Sequence, residues 1–524
     1  MSDIIVNQLS FSYDNSYHEI FKNVSLTINT DWKLGFIGRN GKGKTTFFQL
    51  LMGKYDYSGT ITSQVEFEYF PFNIKNKSSL AIDVAKEIIA PYSLWEEEMD
   101  QCIKAGDESS MMHYGEIQML FQEHDGYVIE EKIIKEMLQL KVNEQVLYHP
   151  FDTLSYGERT KVMLAALFLK KNRFLLIDEP TNHLDTLGRK QLAEYLNSKS
   201  GFILVSHDRA FIDSCVDHIL SLNKQSIDIV QGNYSTWIEN KNRKDQFEIQ
   251  ENEILKKDID RLIKSKERTS RWSDQVESRK FGTKGVDRGH IGHVAAKMMK
   301  RSKSLENRQD DAIMKKKELL KDVEEIRNLR MNILPFPKNR MVELRDVTVA
   351  FGDHVILEDI NLSILKGDRV AMKGKNGSGK STLIKTILGE FEPTKGTCYV
   401  AAGLKIAYVS QDTSGVKGDL NEFIKNQNLD ETVFKAVLRQ MDFGRDQFEK
   451  SMEYYSQGQK KKILLAASLV CDSHLCIWDE PLNYVDILSR IQIENVLLKY
   501  KPTMIFVEHD QVFSDKISTK ELLL

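Results

Sequence analysis

The stretch GRNGKGKTT at 38–46 returns as GKNGSGKST at 374–382. Each copy follows an apolar run suited to a strand, LGFI in the first case and RVAM in the second. Further along, FLLIDEPTNHLD (174–185) returns as LCIWDEPLNYVD (475–486), and ILVSHD (203–208) returns as IFVEHD (505–510). A chain that repeats strand, glycine loop and acid-ended strand in one order is constrained to two α/β domains built on the same plan. The first copy carries about 35 extra residues before its Asp-Glu pair. That excess maps to about 75–145, an acidic stretch of helical pattern. It reads either as a longer helical subdomain or as an arm for a partner.

The chemistry follows from the residue types. G-x-x-x-x-G-K-[ST] is a phosphate loop whose glycines let backbone N–H groups wrap an anion. The loop comprises Gly38, Asn40, Gly41, Gly43, Lys44, Thr45 and Thr46 in the first copy. In the second it comprises Gly374, Asn376, Gly377, Gly379, Lys380, Ser381 and Thr382. Lys44 and Lys380 reach the outer phosphates, and Thr45 and Ser381 offer a hydroxyl to Mg²⁺. The helix that starts there adds its positive end. Asp178 and Asp479 are placed to hold Mg²⁺ through water, and Glu179 and Glu480 to orient or deprotonate the attacking water. His207 and His509, at matched positions after matched strands, are candidates for the γ-phosphate. The bland reading makes these strand-end acids and core histidines; duplication beside two phosphate loops weighs against it.

Between the halves, at about 239–335, composition shifts. Apolar residues recur at helical spacing on both sides of SRKFGTKGVDRGHIGH (278–293), which predicts an antiparallel helical hairpin with a glycine-rich tip. From Arg261 to Lys303 there are 13 Lys or Arg against 4 Asp or Glu, whereas the whole chain carries −3. A basic patch on an otherwise acidic chain points to a local nucleic-acid contact. Arg279, Lys280, Lys284, Arg288, Lys297, Lys300, Arg301 and Lys303 are its candidate phosphate contacts, and Phe281 can stack on a base. Each alone reads sooner as a solvated helix face or flexible loop; it is the patch as a whole that points to RNA. No run approaches the roughly 18 to 20 apolar residues that span a bilayer. The five cysteines are scattered and suggest neither a disulfide framework nor a zinc site, which fits a reducing cytosol.

LSYGE (154–158) and YSQGQ (455–459) resemble the LSGGQ signature of ABC ATPases. With the other motifs they identify a twin-cassette protein that resembles the ABC-F translation factors over essentially its whole length. The Lsa-type antibiotic-resistance proteins are the most similar group, on WKLGFIGRNGKGKTT, GFILVSHDRAF, GHIGHVAAKMMKRSK and IWDEPLNYVD. The resemblance implies two ABC-type α/β P-loop domains joined by a long antiparallel helical hairpin. The divisions would be 1–238, with the helical insert; 239–335, with its tip; and 336–524. It implies head-to-tail cassettes with ATP and Mg²⁺ shared between them. Lys44, Asp178, Glu179 and His207 would work with Ser456, Gly458 and Gln459. Lys380, Asp479, Glu480 and His509 would work with Ser155, Gly157 and Glu158. Tyr13 and Phe351 sit where the family stacks adenine. Gln411 sits where a glutamine serves the metal and water, but Phe72 occupies that place in the first cassette.

What this implies for function is ATP-dependent ribosome protection in the cytoplasm. A monomer would bind the ribosomal E site and push its linker tip along 23S rRNA toward the peptidyl-transferase centre. There it would displace P-site tRNA and lincosamide, streptogramin A or pleuromutilin drugs. Two rivals remain: a housekeeping ABC-F factor acting on stalled ribosomes, and the ATPase subunit of a membrane exporter.

Overall fold

A computed structural model describes residues 2–13, 19–74, 76–182, 184–222, 227–279, 297, 300, 303–304, 307–308, 310, 312, 314, 329–352, 354–375 and 377–524. These form two compact units, Met1–Tyr234 with Arg327–Leu524, and Ser235–Ile326.

In the first unit the duplication is visible strand by strand. Apolar runs that end in Asp become buried central strands, Arg173–Asp178 and Leu475–Asp479, because a strand covered on both faces has no polar face to alternate with. The first cassette orders its sheet Glu66–Phe70, Arg173–Asp178, Phe202–Val205, Lys33–Ile37, His218–Leu222, Ile227–Gln231; only the last pair is antiparallel. The second orders Ile406–Val409, Leu475–Asp479, Met504–Val507, Arg369–Lys373, Lys520–Leu523, all parallel. Each sheet thus sets its phosphate-loop strand beside the strand that ends in His-Asp, with the Asp-Glu strand next in line. A three-stranded antiparallel sheet accompanies each: Phe21–Asn29, Asp3–Phe11 and Ser58–Thr62, and His354–Leu365, Arg340–Phe351 and Lys395–Val400.

The loops turn into helices Lys44–Leu51 and Lys380–Leu388 through left-handed glycines, Gly43 (φ 109°) and Gly379 (φ 90°). A Cβ there would lie 2.7 Å from Ile20 and 2.7 Å from Leu357 respectively, so backbone angle and space both require glycine.

The excess in the first cassette is a pair of packed helices, Tyr92–Ala105 and Glu108–Glu123, joined at Gly106 and N-capped by Asp107. Tyr92, Trp95, Phe121 and Tyr127 stack edge to face beneath it. The second cassette has only short helices there, Leu420–Asn426 and Glu431–Gln440.

The linker begins as one helix, Tyr234–Arg279. At 1.5 Å per residue its 46 residues run about 69 Å. Lys297, Lys300 and Lys303 are helical and exposed. The side chain of Arg279 and all of Lys280, Phe281, Lys284, Arg288 and Arg301 lie outside the described residues, as does the tip itself. Among the described residues no helix is long and apolar enough to cross a membrane.

Candidate active sites

Both phosphate loops hold their lysine inside the curl. Lys44 Nζ donates to the carbonyls of Gly38 (2.6 Å) and Arg39 (3.2 Å), and Lys380 Nζ to those of Gly374 (2.9 Å) and Lys375 (2.6 Å). An ammonium held this way sits where the loop's N–H groups converge on an anion. Thr45 Oγ1 donates to Asp178 Oδ2 (3.2 Å), and Ser381 Oγ to Asp479 Oδ2 (2.9 Å). Each pair joins helix start to strand end, as the motif spacing requires.

Glu179 and Glu480 both take left-handed backbone, at φ 52° and 47°. Non-glycine residues seldom adopt it, and here it persists in both copies. The turn is held because the Glu N–H donates to the carbonyl of the neighbouring strand, Val205 (2.8 Å) or Val507 (3.0 Å). This aims each carboxylate off the strand end toward the phosphate loop.

Around those carboxylates the copies diverge. Glu480 Oε2 accepts from Gln411 Nε2 (2.9 Å) and Asn483 Nδ2 (2.6 Å), with His509 Nε2 3.5 Å from Oε1. Burial opposes its charge, but His509, Lys461 and Gln411 outweigh burial and hold the carboxyl below its ordinary value. Glu179 has neither amide. His207 Nε2 approaches Oε1 at 3.3 Å, yet this buried oxygen has no hydrogen-bond partner among the described residues. The ring's hydrogen bond goes to Asn40 Oδ1 (3.1 Å). Burial, and then Asp178 beside it, push the Glu179 carboxyl up to about 8; burial and then Lys44 push His207 well down. In the first cassette the aromatic Tyr69 intervenes, its hydroxyl donating to Asp178 Oδ2 (3.0 Å).

The first site is closed by the second cassette. Asn40 Nδ2 donates to the Tyr484 carbonyl (2.7 Å). Gly458 lies so near that a Cβ would sit 2.5 Å from that carbonyl oxygen and 2.9 Å from Asn40 Nδ2. Arg39 and Lys42 each reach Asp442 at 3.6 Å. Burial lowers the Lys44 ammonium, and Asp486 of the second cassette is the strongest charge resisting that fall. The second site is a cleft of about 350 Å³ that gathers Gly377, Gly379, Lys380, Ser381, Thr382, Gln411, Glu480 and His509. Arg189 of the first cassette joins its wall, and Asp185 is among the charges sustaining Lys380. Asn376 lies outside the described residues.

Ser155 and Ser456 are N-caps of helices Tyr156–Leu169 and Gln457–Val470, each in a reciprocal box with Glu158 or Gln459. Gly157 stands against Leu184 of its own cassette. Tyr13, 40 % exposed, hydrogen-bonds Thr46 Oγ1 (2.9 Å), and Phe351, 51 % exposed, packs edge-on to Phe391. Tyr13 also meets Phe11 and Tyr55 edge to face. Tyr69, Asn483, Asp442 and Arg189 escape the sequence reading. Asn483 alone had a signal, since DEPTN and DEPLN repeat their asparagine.

The residues suit Mg²⁺. A hydroxyl and a carboxylate are hard oxygen donors, and Asp479 Oδ1 is buried with no hydrogen-bond partner among the described residues. Among the described residues no group of three or more His, Cys, Asp or Glu could hold a metal alone. Two protein oxygens, with the rest left to water and phosphate, is how Mg²⁺ binds at nucleotide sites.

The cassettes also meet in a buried charge cluster. Arg209 of the first pairs with Glu494 and Asp510 of the second, and Arg490 reaches the same Asp510 oxygen at 3.1 Å.

A sequence profile described as ABC transporter matches residues 21–182 and 357–483. The ribosome protection protein VmlR of Bacillus subtilis is 27% identical over 532 residues, covering 99% of this chain and 86% of the relative. The energy-dependent translational throttle protein EttA of Escherichia coli is 28% identical over 529 residues, covering 95% and 88%. Among solved structures, an archaeal ribosome recycling factor aABCE1, in complex with ribosomal stalk protein aP1, has a TM-score of 0.58 at 18% identity. That likeness, in fold alone, covers 98% of this chain and 87% of that one.

Proposed function

Because this chain belongs to the ABC transporter family, as a twin-cassette ATPase of the ABC-F kind, we propose that it binds ATP at two shared sites and couples ATP hydrolysis to work on the ribosome. The proposed work is protection. Bound in the E site, the chain directs its linker toward the peptidyl-transferase centre and displaces P-site tRNA together with lincosamide, streptogramin A or pleuromutilin drugs. The observation that carries this reading is similarity to a ribosome protection protein along 99% of the chain, linker included. The domain division proposed is 1–238, 239–335 and 336–524.

The geometry supports the ATPase half residue by residue. Lys44 and Lys380 present their charge at the curl of each loop, and the capped helices at Ser155 and Ser456 would present their positive ends to the γ-phosphate. Mg²⁺, held through Thr45 with Asp178 and through Ser381 with Asp479, would neutralise phosphate charge. Glu480 would take the proton of the attacking water, while His509 and Gln411 keep its carboxylate ionised and in place. Tyr13 and Phe351 would stack the adenine. A nucleotide held between one cassette's phosphate loop and the other's signature helix would bridge the cassettes, so loss of a terminal phosphate would release that seam.

The basic linker supports the ribosomal half. Lys297, Lys300 and Lys303 are exposed, as phosphate contacts must be. The test is sedimentation with 70S ribosomes. The double variant Glu179→Gln/Glu480→Gln is expected to stay ribosome-bound in ATP, and free exchange with solution would contradict the reading. A second reading rests on the similarity to EttA, namely a housekeeping factor for stalled ribosomes. Drug susceptibility of cells with and without the gene decides between them, since only protection raises tolerance.

A further inference from the structure

We propose that the two sites divide the labour: the one built around Glu480 and Gln411 cleaves ATP, and the one built around Glu179 and Phe72 retains it uncleaved. The inference rests on the reading of the chain as an ATPase with shared sites.

Hydrolysis asks one thing of the strand-end glutamate. As a water oxygen bonds to the γ-phosphorus and the bond to the β,γ-bridging oxygen breaks, ADP leaves and the water's proton passes to the carboxylate. A general base serves only when held within hydrogen-bond reach of that water. Glu480 is held. Gln411 and Asn483 both donate to Oε2, leaving Oε1 on the side of His509.

Glu179 stands on the same left-handed turn but lacks both side-chain amides; the donor beside its carboxylate is the His207 backbone N–H. Phe72 replaces the glutamine and has no group to donate. Asn182 matches Asn483 in sequence, but its side chain makes no hydrogen bond to Glu179. Glu179 Oε1 has no hydrogen-bond partner among the described residues. His207 Nε2 stands 3.3 Å from that oxygen, but its hydrogen bond goes to Asn40 Oδ1 at 3.1 Å. Tyr69 adds a donor to the neighbouring Asp178, which strengthens the metal-side wall without helping the base.

Retention has its own features at the first site. Asn40 is bonded to the Tyr484 carbonyl of the other cassette, Gly458 is packed against both, and Arg39 and Lys42 reach across to Asp442. A nucleotide here would lie under a seam already stitched by protein contacts. Such a site holds the cassettes together while the other one cycles.

The test uses the full chain, pulsed with Mg²⁺ and ATP labelled at the α-phosphate, then desalted and quenched. ATP and ADP are counted per chain. The expected result is close to one uncleaved ATP retained per chain while ADP accumulates in solution. Lys44→Ala should remove the retained ATP, and Lys380→Ala should stop ADP production. Phe72 is half-buried. Phe72→Gln should shorten the life of the retained ATP, and Gln411→Phe should slow ADP production, each by about a hundredfold, the scale of a positioned general base. Cleavage of both bound nucleotides at one rate overturns the proposal, as does retained ATP that disappears in Lys380→Ala instead. Wild-type chain that binds ATP and forms no ADP defeats the ATPase reading itself, a different failure from equal cleavage. The two lysine variants keep the test decisive should a Phe72 or Gln411 variant fail to fold.

Discussion

Around His509, Arg490 and Arg209 converge on Asp510, and Glu494 completes a fully buried cluster that spans the cassettes. Around His207 the first cassette repeats only half of it. Arg189 pairs with Asp208 at 2.8 Å, but Ala193 stands where Glu494 would, and Gln511 stands where Arg209 would. In place of side chains there is a cavity of about 420 Å³, lined by Arg189, Ala193, Asp208, Phe211, His509 and Gln511 among others. The halves keep the intracassette pair and differ in the crossing one. The difference teaches that duplication has preserved what the backbone demands and released what a partner across the seam supplies.

The largest effect should come from breaking the crossing cluster. Arg209→Met leaves Glu494 and Asp510 buried with fewer cations. Removing one partner of a buried pair costs about 3–5 kcal/mol. Arg490 still serves Asp510 and Lys516 still reaches Glu494 at 3.2 Å, so the low end, about 3 kcal/mol, is expected. Denaturant unfolding would measure it. Adding Glu494→Met should recover most of the loss, because the uncompensated charge goes with it. A single variant as stable as wild type would show that the two halves of the seam are energetically alike after all.

The next test compares the two signature glycines. Gly458→Ala drives a Cβ to 2.5 Å from the Tyr484 carbonyl and 2.9 Å from Asn40 Nδ2. A backbone oxygen cannot step aside, so an overpacking cost of about 1–3 kcal/mol falls on closure of the first site. At Gly157 a Cβ would meet only Leu184 Cδ2 at 3.0 Å, the end of a flexible side chain. Its alanine variant should lose a few tenths of a kcal/mol, the scale of an ordinary exposed substitution. ATP titration of each variant reads the contrast. Equal losses would mean that both seams are equally tight.

These comparisons also mark how far the sequence could be read. The glycine loops and the Asp-Glu strand ends were legible because each is a local demand, whereas LSYGE and YSQGQ were read by resemblance and their Ser caps show only in the structure. Gly43 and Gly379 answer a left-handed angle, and Ser155 and Ser456 cap a helix three residues from their box partner. The helical insert was legible as a stretch, but not as two packed helices at 92–105 and 108–123, because composition does not say where a chain turns back. Tyr69 and Asp442 stayed hidden, since each matters only through a neighbour far along the chain. Phe72 lay between these cases. Its departure from glutamine was plain, but its consequence, a glutamate without an amide to hold it, needed the positions of Glu179 and Asn182. Likewise HDR against HDQ could be seen in the sequence, while the cavity that answers to it could not.

The smallest expected effect tests the cavity. Ala193 is buried on the helix Thr186–Asn197 and lines the space that the missing side chains leave. Ala193→Leu adds apolar volume without changing charge, and a helix interior favours leucine nearly as well as alanine. Cavity filling of this kind gives about 0.5–2 kcal/mol. The gain should lie near the lower bound, because Arg189 and Asp208 keep part of the wall polar and a single leucine cannot satisfy them. A raised melting temperature with ATPase unchanged would show the cavity to be slack space in the seam. A stable variant that has lost turnover would mean instead that the cassettes need this gap to move, and that the half lacking Arg209 is the side on which they part.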